Sequence, residues 1–326
     1  MERSNMKNFF KRGIALGVIL MILTGCSGKT AAVDDVSVRV GSLKGPTSIG
    51  IINMIHEQES GNYSFTMETQ ADVLLASMVS GDLDIALVPA NVASVLYNKT
   101  EGKVSVIDIN TLGVLYMVSG DDSIKTMNDL EGRTVYTTGA GTTPEYVLRY
   151  LLKENGLEDK VNIEFKSEAT EVVSTITQDT SSVGLLPQPF VIAALSQNDS
   201  LSIVLDTTKE WDALGNGSKL VTGVTVARND FIEEHPQAVA AFLKDHAASA
   251  EFVNSDASTA AQYVAEAGII EKAPVAEKAI PFCNIVCIDG SDMKSALSGY
   301  LNVLYDQNPK SVGGSLPGDD FYYIAE

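Results

Sequence analysis

The chain has 326 residues, 45% of them apolar, and a net charge of −19 from 42 acidic and 23 basic side chains. Nucleic acids and anionic bilayers attract basic surfaces, so this charge argues against binding to either of them. The length and apolar content are sufficient for a large core, in one two-lobed domain or in two domains.

Residues 1–25 have the features of a secretory signal peptide. Basic residues precede an apolar run over residues 13–23, which is too short to span a bilayer as a mature helix. Cys26 follows Leu-Thr-Gly and resembles the lipobox of bacterial lipoproteins, whose cysteine is diacylated. We predict lipidation at Cys26 and a tether over residues 26–35. An ordinary cleaved signal with an unrelated cysteine is the alternative.

The first half of the mature chain alternates short apolar strands with amphipathic helices, which indicates an α/β fold. The first set of predicted elements comprises strands 36–42, 64–68 and 84–88, with helices 47–59, 72–79 and 91–97. Asn91 is placed to cap the last of these helices.

The same order of elements recurs further along the chain. The second set comprises strands 134–138, 161–166 and 183–186, with helices 143–155 and 171–177. The spacing between Asp72 and Thr170 equals the spacing between Pro89 and Pro187. This register favours two similar α/β lobes, with a chance match of two βαβ units as the alternative.

Two similar lobes place a ligand in the crevice between them, outside the carboxyl ends of the strands. In both lobes a Gly-rich turn leads from the first strand into a helix N-terminus, which suits an anionic or carbonyl-bearing ligand. Merely well-capped helices are the alternative. Further candidates follow other strands or could stack on a ligand. The predicted ligand-binding residues are Ser42, Lys44, Gly45, Pro46, Thr47, Gln70, Asn91, Tyr116, Gly141, Thr142, Thr143, Gln188 and Gly223. In the second turn, the helix cap is either Thr143 or Thr142 with Glu145 closing a capping box.

Besides Cys26, the chain contains Cys283 and Cys287. On a strand this spacing separates the two cysteines by about 13 Å, too far for a disulfide. On a helix they could pair at a metal, but no histidine lies nearby in the sequence. We expect two buried free thiols, no metal site, no cofactor and no catalytic residues, since no nucleophile or metalloprotease motif is present.

Several stretches resemble the solute-binding proteins of ABC importers for nitrate, sulfonates, taurine and thiamine-precursor pyrimidines. These stretches are residues 81–91 (GDLDIALVPAN), 129–136 (DLEGRTVY), 141–148 (GTTPEYVL), 185–190 (LLPQPF) and 230–239 (DFIEEHPQAV). Such proteins have a type II periplasmic-binding-protein fold with two crossovers between the lobes. The resemblance implies a first lobe of residues 36–118 plus 225–326 and a second lobe of residues 119–224. It also implies hinge closure around the ligand. Gln188 stands where the family often has an acidic residue.

The leading hypothesis is an extracytoplasmic binding protein, monomeric and held at the membrane only by its lipid. It would pass a small polar or anionic solute to an ABC permease and its ATPase. An enzyme related to the pyrimidine synthases of this fold is one alternative, although Cys283 and Cys287 are a poor match for the cysteine-rich motif of those enzymes. A ligand-sensing lipoprotein is the other, and neighbouring permease and ATPase genes would distinguish it from the leading hypothesis.

Overall fold

The computed structural model describes residues 36–57 and 62–325. The predicted signal peptide, Cys26 and the tether lie outside the described residues, as does the end of the helix predicted to reach residue 59. No helix in the described part of the chain is both long and apolar enough to cross a membrane.

The first sheet has six strands in the order β11-β4-β10-β3-β1-β2. They are β1 (Val38–Leu43), β2 (Tyr63–Glu68), β3 (Ile85–Pro89), β4 (Val104–Leu112), β10 (Val221–Arg228) and β11 (Ile285–Ile288). β1 pairs in parallel with β2 and β3, while β10 runs antiparallel to both β3 and β4. The parallel strands of this lobe therefore end together at one edge of the sheet.

The second sheet has five strands in the order β7-β6-β8-β5-β9. They are β5 (Leu115–Ser119), β6 (Thr134–Thr137), β7 (Asn162–Phe165), β8 (Val183–Pro187) and β9 (Ser202–Asp206). β6 pairs in parallel with β7 and β8, and β5 is antiparallel to β8. The order β2-β1-β3 followed by an antiparallel strand thus recurs as β7-β6-β8 followed by β5, which confirms the predicted repeat of two α/β lobes.

The α-helices of the described residues cover the sheets and connect their strands. They are α1 (Pro46–Ile49), α2 (Ile52–His56), α3 (Ala71–Ser80), α4 (Ala90–Lys99), α5 (Thr143–Glu154), α6 (Ala169–Gln178), α7 (Phe190–Gln197), α8 (Thr207–Ala213), α9 (Asn229–Glu234), α10 (Pro236–Ser255), α11 (Ala257–Glu266), α12 (Ala273–Ala279) and α13 (Gly290–Gln307). The helix predicted over residues 47–59 is instead two short helices, α1 and α2. The break falls at Gly50, whose added Cβ would lie 3.2 Å from both His246 and Ile285, so the backbone packs closely there.

Both crossovers between the sheets come earlier in the chain than predicted. β4 belongs to the first sheet and β5 to the second, so the first crossover is at Gly113 and Val114. The second lies between α8 and β10, because β10 pairs with β3 and β4 over its length. The predicted boundaries at residues 118 and 225 are therefore wrong by a few residues, since apolar strands give no sign of which sheet they join.

The C-terminal helix α13 connects the two lobes. Its buried side chains, including Leu297, Tyr300 and Leu301, belong to one apolar cluster that also contains Val106 of the first sheet and Val183 of the second. At the end of α13, the Gln307 amide donates to the Tyr146 carbonyl at 2.9 Å. This helix therefore packs against both lobes.

Candidate functional site

The carboxyl ends of the central parallel strands in both lobes lie beside the crossovers. Pro89, the last residue of β3, pairs with Gly223 of β10, which follows the second crossover. Pro187, the last residue of β8, pairs with Leu115, which follows the first crossover. The topology therefore brings together the strand ends that the sequence pattern predicts to form the crevice.

The turn after β1 is tightly hydrogen-bonded. The Ser48 hydroxyl contacts the Leu43 carbonyl and donates to the Ser42 hydroxyl at 2.8 Å, and the Thr47 hydroxyl donates to the same carbonyl at 3.2 Å. Ser42 and Thr47 are buried, Gly45 has a φ of 146°, and Pro46 occupies the first turn of α1. Lys44 is exposed. This turn has a fixed shape, with its hydroxyl groups already bonded within the protein.

Thr47 and Gly223, two of the predicted site residues, meet at the side chain of Asn110. A Cβ added at Gly223 would overlap both the Asn110 amide and the Thr47 methyl group. Asn110 is buried on β4 and donates to the Thr225 hydroxyl at 3.2 Å. Only glycine at position 223 allows this approach. We call the surface formed by Thr47, Asn110 and Gly223 the first-lobe wall.

The turn after β6 is more exposed than its counterpart. Thr142 is the N-cap residue of α5, and its hydroxyl donates to the Gly139 carbonyl at 2.6 Å. Glu145 accepts a hydrogen bond from the Gly141 N–H at 2.6 Å, so it reaches the residue before the cap and does not close the predicted capping box. Thr143 is the first residue of α5 and is half-buried. One backbone donor that could face an anion is therefore already bonded to a carboxylate.

Gln188 is the most informative residue of the second lobe. It immediately follows β8, is 2% exposed, and its backbone N–H donates to the Val114 carbonyl at the first crossover. Among the described residues, neither its side-chain Nε2 nor its Oε1 has a hydrogen-bond partner. Because buried polar groups are nearly always paired, an amide with two unpaired atoms beside the crossover is a strong candidate for contact with a ligand.

The remaining predicted site residues are placed differently. Gln70 precedes α3 and is exposed, without a side-chain capping bond. Asn91 does not cap α4, whose N-cap position is Pro89, and its amide donates to the Ser311 carbonyl at 3.3 Å. Tyr116 is buried, and its hydroxyl donates to the Phe282 carbonyl at 2.8 Å. Asn91 and Tyr116 are therefore used within the protein, because residues near the C-terminus return to cover them.

Three polar residues near the crossovers did not emerge from sequence reasoning. Asp108 and Asn110 are fully buried on β4, and Asn284 donates to the Gly113 carbonyl at 2.5 Å. Asn284 also has a φ of 46°, in the left-handed region that asparagine tolerates. Polar side chains inside the apolar strand β4 are the signal that could have indicated Asp108 and Asn110 as a buried network.

The expected free thiols are confirmed for the described residues, although only Cys283 is fully buried. Burial raises the pKa of the Cys283 thiol to about 12, and this thiol donates to the Ala279 carbonyl at 3.3 Å. Such a thiol is a poor nucleophile, because the thiolate is the reactive form. Trp211 is also fully buried, and its Nε1 donates to the Ser218 hydroxyl at 2.9 Å.

Two lobes of equivalent topology joined by two crossovers define the class of two-lobed periplasmic binding proteins. The sequence profile described as NMT1/THI5 like matches residues 59–260, and the chain belongs to this family. No curated protein matches the sequence.

Solved structures agree with this assignment. An ABC transporter from Parabacteroides distasonis is 25% identical, with 90% of this chain and 99% of that chain covered at a TM-score of 0.75. The periplasmic aliphatic sulphonate binding protein SsuA from Escherichia coli is 15% identical, with 89% and 93% covered at a TM-score of 0.68. A ligand-binding component of an ABC-type import system from Staphylococcus aureus is 14% identical, with 88% and 96% covered at a TM-score of 0.63. The predicted fold class and family resemblance are thus confirmed, and these relatives are described as transporter or binding components, not as enzymes.

Proposed function

We propose that this protein is the solute-binding lipoprotein of an ABC importer. It captures a small polar or anionic solute of the sulfonate, nitrate or pyrimidine-precursor class between its lobes and delivers it to the permease and its ATPase. In this proposal the protein acts as a monomer outside the cytoplasm and is anchored through lipid on Cys26. The family membership and the ABC-importer relatives support the transport role.

The unpaired Gln188 amide is the observation that carries the proposed binding site. Leaving a buried donor or acceptor unpaired costs about 1–3 kcal/mol, so an amide with two such atoms is expensive unless a ligand pairs with it. It lies beside the first crossover, where the strand ends converge. The Thr208 hydroxyl supports the same location, since it is buried, lacks a partner among the described residues, and lies against Gly113.

The electrostatics of the turns favour a ligand with both polar and anionic character. Lys44 contributes a positive charge beside the first turn, whereas Glu145 contributes a negative charge at the second. Arg149 partly offsets Glu145 through a contact of 2.6 Å. The anionic group of the ligand would therefore lie nearer the first lobe, and the neutral Gln188 amide would pair with a part that donates and accepts hydrogen bonds.

A thermal-shift panel is the direct test of the proposed function. The full chain would be screened against nitrate, alkanesulfonates, taurine, aminopyrimidines and carboxylates. A ligand at 100 times its dissociation constant stabilises the folded state by about 2.7 kcal/mol. A rise in melting temperature with one class supports the proposal, and no response across the panel would remove this substrate class. X-ray scattering with a hit should show compaction, as expected for hinge closure.

The lipid anchor requires a separate test. Replacing Cys26 by serine should move the protein from the membrane fraction to the soluble fraction and abolish labelling with palmitate. Replacing Cys283 by serine is the matched control, because that thiol is buried. Membrane association that survives Cys26→Ser would contradict the anchor without affecting the solute-binding proposal.

A further inference from the structure

We propose that Asp108, His246 and Cys287 form a binding site for a thiophilic divalent cation, with Zn²⁺ as the physiological candidate. One ligand atom from each residue lies within 4.8 Å of the others, and Asp108 and His246 are both fully buried. His246 Nδ1 is 3.1 Å from Asp108 Oδ2. The three residues belong to α10, β4 and β11, so the site lies inside the first lobe.

The geometry of the cluster is close to that of a bound zinc ion. Zn²⁺ binds cysteine, histidine and carboxylate ligands at about 2.0–2.3 Å, which separates ligand atoms in a tetrahedron by roughly 3.5 Å. The ligand atoms of the three residues lie within 4.8 Å of one another, so the cluster would have to contract slightly around an ion. The fourth position would be taken by water or by a backbone oxygen such as that of Leu243, which lies 3.9 Å from Cys287 Sγ.

The charges of the three ligands also suit a divalent cation. One carboxylate and one thiolate neutralise the cation, so the occupied site adds no net charge to an apolar core. On binding, the Cys287 thiol releases its proton to solvent, and the imidazole binds through Nδ1 while its proton resides on Nε2. No oxidant or reductant is involved, because the ion keeps its oxidation state.

Two further features favour a metal site over an isolated buried pair of Asp108 and His246. The Thr225 hydroxyl donates to Asp108 Oδ1 at 2.8 Å, and Asn110 donates in turn to Thr225, which orients the carboxylate from behind. Cys287 lies on β11, at the edge of the first sheet, and is only partly buried. The edge strand therefore gives an ion a route to the site.

The proposed metal site is separate from the proposed solute-binding site, but hydrogen bonds and packing connect the two. Its network runs from His246 through Asp108, Thr225 and Asn110, and Asn110 touches the first-lobe wall at Gly223. A bound cation would join α10, β4 and β11 and so stabilise the lobe that carries this wall.

Cobalt provides the test, because Co²⁺ is a coloured substitute for Zn²⁺. The full chain, purified in detergent and freed of metal, should bind one equivalent of Co²⁺ and show a thiolate-to-cobalt charge-transfer band in the near ultraviolet. Cys287→Ser should abolish this band, whereas Cys283→Ser and Cys26→Ser should retain it. No band in the wild-type chain, or a band that survives Cys287→Ser, would overturn the proposal.

A milder variant allows the proposal to be tested even if Cys287→Ser does not fold. Thr225→Val removes only the hydroxyl behind Asp108 and should weaken Zn²⁺ binding about 10- to 100-fold, as found for groups that orient metal ligands. Zn²⁺ affinity would be measured by competition with a chromophoric chelator, and His56→Asn is the control, since His56 stacks on Tyr263 outside the cluster. Equal affinity of Thr225→Val and wild type would contradict the assigned carboxylate ligand.

Discussion

The turns after β1 and β6 occupy equivalent places in the two sheets, yet their polar groups are satisfied in different ways. After β1, the hydroxyls of Thr47 and Ser48 bond within the turn, and a buried network lies behind it on β4. After β6, the exposed Gly141 and Thr142 are held by Glu145 and by backbone contacts. The first lobe offers a buried, hydrogen-bonded wall, whereas the second offers a more exposed turn beside the unpaired Gln188.

A similar contrast exists at the start of the central parallel strands. Asp84 precedes β3, is 3% exposed, and is bonded by Arg39 and Arg228. The matching position before β8 is Ser182, which bonds to Asp179. Equivalent topology is thus compatible with an ionic network in one lobe and a hydroxyl–carboxylate contact in the other, because the fold depends on strand order and apolar burial.

The largest effect is expected where the second lobe packs against the C-terminal helix. Trp211 is fully buried between Tyr150 and Tyr300, with ring centroids 4.6 Å and 5.7 Å away. Trp211→Ala should lower the free energy of unfolding by about 3–5 kcal/mol, because it leaves a cavity. Urea denaturation measures this loss. Trp211→Phe is the control that keeps most of the packing but loses the bond to Ser218, so it should cost less. A loss below about 1 kcal/mol for Trp211→Ala would show that the two lobes do not depend on this contact.

The ionic network of the first lobe should make its stability depend on acid. Burial raises the pKa of Asp84, but hydrogen bonds from Arg39 and Arg228 lower it by a larger amount. The pKa of Asp84 is therefore below its usual value. Its contribution is complete above the unfolded pKa of about 3.9 and is lost as pH falls through the folded pKa.

The corresponding variant is Asp84→Asn. It should cost about 2–3 kcal/mol at pH 7, because charged hydrogen bonds to a buried carboxylate are lost. The difference from wild type should shrink as pH falls below about 4, in urea denaturation followed across pH. Asp179→Asn in the second lobe is the control and should change stability little, since Asp179 is exposed. A difference that does not vary with pH would contradict the ionic explanation.

The sequence was sufficient to predict both lobes because their signals are local. Apolar strands ending at Pro89 and Pro187, and Gly-rich turns before helices, can be recognised without knowing what they pack against. The prediction placed the crossover after Val118 instead of at Gly113, because the apolar sequence of β5 is compatible with either sheet. Local pattern therefore identifies an element but not the sheet that it joins.

Contacts between distant elements could not be predicted from spacing. Asn91 has the sequence features of a helix cap, but the returning chain at Ser311 takes its side chain instead. Asp108, His246 and Cys287 lie on three elements that are far apart in the sequence, so no motif connects them. Gln188 was predicted from its position after a strand, although only the fold reveals that its amide is buried and unpaired.

Gln188 allows the proposed binding role to be separated from folding. Gln188→Leu removes the unpaired buried amide, so we expect the ligand-free protein to gain about 1–2 kcal/mol in free energy of unfolding. Affinity for the ligand found in the panel should fall about 10- to 100-fold, measured by calorimetry. Gln178→Leu is the control, because Gln178 is exposed and bonded to Ser174. Reduced stability with unchanged affinity would show that the amide has a structural role and that the site lies elsewhere.

The remaining effects should come from a pair of glycines that compares the two lobes directly. Gly223 is confined by Asn110 and Thr47, so Gly223→Ala forces a rearrangement of the first-lobe wall and should cost about 1–3 kcal/mol. Gly141 has a φ of 74° and open space around it, so Gly141→Ala should cost only about 1 kcal/mol, from backbone conformation.

A second substitution at each site distinguishes crowding at Gly223 from backbone strain at Gly141. Thr47→Ser removes the methyl group that a Cβ at residue 223 would meet, so it should recover part of the loss in Gly223→Ala and show a coupling energy in a double-mutant cycle. Gly141→Asn should be better tolerated than Gly141→Ala, because asparagine adopts the left-handed conformation more readily. If Thr47→Ser leaves the cost of Gly223→Ala unchanged, the first-lobe wall is not held by this contact, and the contrast between a closely packed wall and a more exposed turn fails at that point.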